Sequence, residues 1–169
     1  MKLTWKKVKG ADGYILYGAQ YGKSLKKIAS FSKASKVSYT HKKLKAKSYY
    51  KYMVVAYKNI DGQKVVTASS KTVHVVTYGS KYGNPKKVSV KSATMKIKKG
   101  KKSTIKATNV MAKGKKNKVH IAKFRYESSN TKVATVNKKG VVTAKKKGTA
   151  YIYVYAQNGV CKKVKISVK

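Results

Sequence analysis

Any covalent chemistry performed by this chain would have to come from a short list of groups: the carboxylates of Asp12, Asp61 and Glu127, the thiol of Cys161, and the imidazoles of His41, His74 and His120. A calcium cage takes about six to eight oxygen ligands, and no two of the three carboxylates sit at a spacing that suggests a general acid/base pair. Neither CxxC nor HExxH occurs, so the spacing of a zinc site is missing. Each histidine stands without a nucleophile or acid placed by the sequence to partner it, and neighbouring ammonium groups favour its neutral form. The chain therefore reads as non-enzymatic, with no catalytic residue, no cofactor-binding residue, no cofactor and no metal ligand assigned. Cys161 is expected to be a partly exposed, incidental small residue.

What the sequence holds in quantity is lysine. Of 43 cations only Arg125 is an arginine, leaving 43 − 1 = 42 lysines against three acids and a formal charge of +40. Such a balance attracts polyanions without selecting among them. The near-absence of Arg argues against base-edge readout and bidentate phosphate grips, so only non-specific nucleic-acid binding at low salt is expected. A compact chain of this mass exposes about 8,000 Å², or about 190 Å² per cation and a mean spacing of about 14 Å. The clusters chosen as a candidate polyanion site are Lys113, Lys115, Lys116 and Lys118 with Lys145, Lys146 and Lys147.

The second candidate surface is aromatic. In AYIYVYA, strand alternation puts Ala150, Ile152, Val154 and Ala156 on one face and Tyr151, Tyr153 and Tyr155 on the other. With Lys163 and Lys165 of the next strand expected across from them, the tyrosines form a candidate ligand face that could stack on sugar rings or bases while the ammonium groups hold anionic substituents. The competing reading is a cross-strand ladder with cation–π contacts and no ligand.

These groups sit on an all-β framework. Short alternating runs separated by Gly, Asn, Asp and Lys turns recur throughout, giving strands near 3–8, 13–18, 25–31, 36–40, 49–59, 64–69 and 72–77. After a linker rich in glycine, YGSKYGNP at 78–85, further strands fall near 87–90, 94–97, 103–110, 122–126, 133–136, 141–144, 149–156 and 160–168. Asp61-Gly62, Asn158-Gly159 and the tighter 138–140 turn close hairpins. Parity within 49–59 turns Tyr50, Tyr52, Val54 and Ala56 inward, while Tyr78 and Tyr82 are expected to pack at the junction. Seven or so strands on each side of a linker imply two tandem β-sandwiches. No apolar run reaches the roughly 18 residues of a spanning helix, so membrane insertion is not expected.

The opening LTWKKVKGADGYILYG, with Leu44 six residues before Tyr50 and then YKYMVVAYK, resembles a fibronectin type III domain over residues 1–78. That resemblance makes Trp5 a core tryptophan, makes Leu44 and Tyr50 a tyrosine corner, and places the family's first strand upstream of Leu3, as in an excised fragment. Residues 85–169 resemble the group 2 bacterial immunoglobulin-like domain through YESSNTKVATVNKKGVVTAKKKGTAYIYVYAQNG, with Tyr126 where that pattern usually has Trp. Residues 79–84 are the linker.

Both resemblances imply a non-catalytic segment of an extracellular or cell-wall-associated bacterial protein. It would act as a spacer and adhesion or binding module, monomeric within a larger chain. The implied partners are anionic wall or host polysaccharides or a protein receptor. The alternative is a carbohydrate-binding accessory module of an extracellular enzyme, using the tyrosine face.

Overall fold

The computed structural model describes residues 1–117 and 122–169. The chain divides into two compact units, Met1–Ser80 and Lys81–Lys169, built from β-strands. Among the described residues no helix is long and apolar enough to cross a membrane.

In the first unit β1 (Lys2–Thr4) pairs antiparallel with β4 (Ser38–Thr40). A five-stranded sheet holds β2 (Gly13–Gln20), β3 (Lys26–Phe31), β5 (Tyr49–Ile60), β6 (Gln63–Ser69) and β7 (Val73–Val76). Its order is β3-β2-β5-β6, with β7 also on β5. Trp5, the residue after β1, is half-buried against the core of this unit. Its ring centroid lies 5.6 Å from that of Tyr14 and 5.8 Å from that of Phe31. The expected tyrosine corner is present, because the Tyr50 hydroxyl accepts the Lys45 amide at 3.1 Å.

Parity along β5 holds for Tyr52 and Ala56, which are buried, and leaves Tyr50 and Val54 half-buried. It fails for Tyr57, which lies on the opposite face and is nevertheless only 1% exposed. Its register partner is Gly13, which has no side chain there. The ring lies over that gap and donates its hydroxyl proton to the Phe31 carbonyl at 3.1 Å. A Cβ on Gly13 would run into that carbonyl and the Tyr57 ring.

The second unit's main sheet has order β12-β15-β16-β9, from β9 (Thr94–Ile97), β12 (Arg125–Ser128), β15 (Gly148–Tyr155) and β16 (Cys161–Val168). Here β9 runs parallel to β16, and the other pairs are antiparallel. Smaller sheets hold β8 (Lys87–Val90) with β11 (Ala107–Val110), and β10 (Lys102–Thr104) with β14 (Val141–Ala144) and β13 (Ala134–Val136). The core takes Ala150, Ile152 and Val154 from β15 and Val164, Ile166 and Val168 from β16, all at most 3% exposed.

Two strand assignments need correction. The single strand expected at 103–110 is two, because the chain changes sheets at buried Ile105, whose amide donates to the Gly140 carbonyl at 2.9 Å. Strand 122–126 is displaced to Arg125–Ser128, the stretch that pairs with β15. Tyr78, expected to pack, is 81% exposed. Tyr82 is half-buried, with the Lys81 ammonium 5.6 Å from its ring centroid.

Candidate functional site

On the outer face of the second unit's main sheet, the backbone register sets Tyr151 opposite Lys165, Tyr153 opposite Lys163 and Tyr155 opposite Cys161. The other neighbour, β12, sets Arg125 beside Tyr155 and Glu127 beside Tyr153. All three tyrosines are half-buried. The Lys163 ammonium sits 4.4 Å from the Tyr151 centroid, one pair along the diagonal, and the Arg125 guanidinium 4.4 Å from that of Tyr155. Arg125 also pairs with Glu127 at 3.3 Å. Tyr153 and Tyr155 stand 6.3 Å apart, tilted by 34°. Two of the three rings thus already carry a cation, and the geometry is that of a ladder whose members satisfy one another.

Burial first, then Cys161 and Glu127, hold the Tyr155 hydroxyl above the usual phenol range, with Arg125 opposing them. Cys161 is exposed, and its thiol is hydrogen-bonded with the Tyr155 hydroxyl. Lys165 is exposed on the same face.

The lysines chosen as one polyanion cluster are divided by the fold. Lys145, Lys146 and Lys147 lead into Gly148, at the end of β15 that pairs with Val168. Lys113, Lys115 and Lys116 lie toward the opposite end. There the Lys116 amide donates to the Lys81 carbonyl at 2.9 Å, and Asn158, beyond the far end of β15, donates to the Pro85 carbonyl at 2.9 Å. An eight-residue strand separates the two ends by roughly 23 Å at about 3.3 Å per residue. Lys118 and His120 lie outside the described residues.

The companions of Lys145–Lys147 are instead the lysines of 98–102. Gly100 donates to the Ala144 carbonyl, 44 positions away, at 2.8 Å and Ala144 returns a bond to the Lys101 carbonyl at 3.0 Å, so two lysine-rich loops share one end of the sandwich. Every described lysine is exposed except the half-buried Lys51.

Among the described residues, the other acids and histidines make local contacts. Asp12 accepts the Asn59 amide at 2.8 Å, and Asp61 occupies the β5–β6 turn with φ of 48°. His74 lies on β7 beside Tyr21, ring centroids 5.8 Å apart. His41 Nδ1 is hydrogen-bonded to the Tyr52 hydroxyl at 3.0 Å. Burial, then the amino-terminal ammonium, lowers the His41 pKa. Burial, then Tyr50 and Tyr39, pushes that of Tyr52 up to about 12. No group of three or more potential metal-ligating side chains occurs among the described residues.

Residues 84–167 match the family described as the bacterial Ig-like domain, group 2. The second unit is a member of that family. Within this Ig-like domain Tyr126 is half-buried against the core, its ring carbon and hydroxyl 2.9 Å from where a Cβ on Gly140 would lie. No curated protein matches the chain.

Among solved structures, a C-terminal 282-residue fragment of intimin, in complex with the intimin-binding domain of the translocated intimin receptor, aligns at 16% identity and a TM-score of 0.37. That alignment covers 95% of this chain and 54% of the fragment. The FN1–FN3 domains of chicken CNTN1 align at 16% identity and a TM-score of 0.39, over 99% of this chain and 61% of that one. The chain thus spans little more than half the length of either.

Proposed function

We propose that this protein is a non-catalytic, extracellular or wall-associated bacterial segment that serves as a spacer and holds anionic polymers by diffuse charge. The observation that carries the reading is the placement of the lysines: exposed on strands, turns and both ends of the second unit, in excess of any carboxylate able to neutralise them. Three acids can offset three of 43 cations at most. A coat of this kind also discourages edge-to-edge strand pairing, which suits a repeat exposed outside the cell. The first unit serves as the fibronectin-like member of the pair.

The alternative of a glycan site on Tyr151, Tyr153 and Tyr155 is the weaker reading, because Lys163 and Arg125 already lie against two of the rings.

The test is binding to a linear glycerol-phosphate polymer, with neutral dextran as control. Affinity for the charged polymer should fall on the order of 10³-fold between about 50 and 200 mM salt, as for proteins that neutralise several phosphates, and dextran should not bind. Salt-insensitive binding, or equal binding of dextran, would contradict the proposal.

A further inference from the structure

The first unit contains a concave site that neither the lysine coat nor the tyrosine ladder explains. A cavity of about 420 Å³ is lined by His41, Lys42, Lys43, Leu44, Thr77 and Tyr78 together with Met1, whose ammonium donates to the His41 carbonyl at 2.7 Å. That volume lies within the range of small-molecule pockets. Its walls are the residue before β1, the loop between β4 and β5 and the segment that follows β7.

This loop is built rigidly, although it is on the surface. Ser48 and Thr77, the buried polar residues of the described core, brace it. The Ser48 amide donates to Thr77 Oγ1 at 2.9 Å, that hydroxyl donates to the Lys45 carbonyl at 2.7 Å, and the Thr77 amide donates to the Ser48 carbonyl at 2.9 Å. The Lys47 amide donates to the Tyr78 carbonyl at 2.9 Å, and the Tyr50 hydroxyl secures Lys45.

Two lysines of this loop adopt a left-handed backbone, which long side chains rarely do: Lys43 at φ of 54° and Lys47, whose amide is among the bracing donors, at 53°. A left-handed backbone at a residue with a long side chain costs on the order of 1 kcal/mol and persists only where its surroundings impose it. Glycine would remove that cost, yet both positions are lysine. Beside them Tyr78 is 81% exposed, an aromatic ring left in solvent at the cavity wall.

We propose that this cavity binds an anionic pyranose: Tyr78 offers a stacking surface to the apolar face of the sugar ring, and Lys42 and Lys43 hold its negative substituent. A carboxylate of a uronic acid and the phosphate of a sugar phosphate share this chemistry. Diffuse polymer attraction needs neither a cavity nor a ring, so this site stands or falls separately from it.

The test is a titration followed by amide NMR at about 0.5 M sodium chloride, where screening removes the diffuse component. The probes are glucuronate, glucose 6-phosphate and glucose. Glucuronate, glucose 6-phosphate or both should shift the amides of Lys42, Lys43, Thr77 and Tyr78 saturably, in the millimolar range expected for one small ligand. Binding of glucuronate alone assigns the carboxylate source, and binding of glucose 6-phosphate alone the phosphate source. Tyr78→Ala and the double variant Lys42→Gln/Lys43→Gln should each weaken binding at least tenfold with an unchanged melting temperature, since all three side chains are exposed. The absence of saturable shifts with both anionic sugars, equal shifts with glucose, or unchanged affinity in both variants would overturn the proposal, whatever the polymer measurements show.

Discussion

At the scale of single residues, hydroxyls and rings placed in small gaps decide most of the local structure. The Tyr50 hydroxyl receives the Lys45 amide, so Tyr50→Phe should cost about 1 kcal/mol, the net worth of one hydrogen bond, read by urea unfolding. His41 makes a pH prediction. Its folded pKa is lowered by burial and the amino-terminal ammonium, so the unfolded chain binds the proton more readily. That contribution to stability is intact above about pH 6.5 and is lost as pH falls through the lower folded value. The melting temperature should fall as pH drops below about 6.5, and His41→Gln should flatten that slope.

Residue-scale parity was only partly legible. Tyr52 follows from alternation, but the burial of Tyr57 depends on Gly13 opposite it, a partner 44 positions away that no local pattern names.

At the scale of elements, hairpins and alternation were readable because their causes are local. In β15 the aliphatic residues face inward and Tyr151, Tyr153 and Tyr155 outward, and Asn158-Gly159 turns the chain with Gly159 at φ of 92°. The division of 103–110 was not readable, because Lys102–Thr104 and Ala107–Val110 are told apart only by their partners, β14 and β8. The lysine grouping escaped for the same reason, since the bond between Gly100 and Ala144 joins loops that are distant in sequence. Gly140 ties several of these elements together. It lies at φ of 77°, and an added Cβ would sit 2.9 Å from the Tyr126 ring and 3.2 Å from the Ile105 carbonyl. Gly140→Ala should cost about 1–3 kcal/mol in urea unfolding, with the denaturant slope unchanged.

At the scale of the whole molecule, charge density sets the behaviour in solution. The surface is 10,916 Å², larger than the 8,000 Å² expected, because scaling for a single compact body does not apply to two units. Shared among 43 cations, 10,916/43 gives about 254 Å² each and a mean spacing of about 16 Å. That spacing exceeds the Debye length of about 8 Å at physiological salt and falls well inside the roughly 30 Å at 0.01 M. Thermal stability should therefore drop on transfer to dilute buffer; a melting temperature that stays flat or rises would contradict this.

The central claim is that polymer attraction is spread over the lysine coat and does not belong to one cluster. It is tested most directly by charge removal at matched count. Lys99, Lys101 and Lys146 at one end of the second unit are changed to Gln in one variant, and Lys113, Lys115 and Lys116 toward the other end in a second. Each is titrated with the same glycerol-phosphate polymer at about 0.1 M salt. The two variants should lose affinity to the same degree, within about twofold, and both should show a shallower salt dependence than the parent. If one variant abolishes binding while the other leaves it unchanged, the attraction is a localised site and the account is wrong.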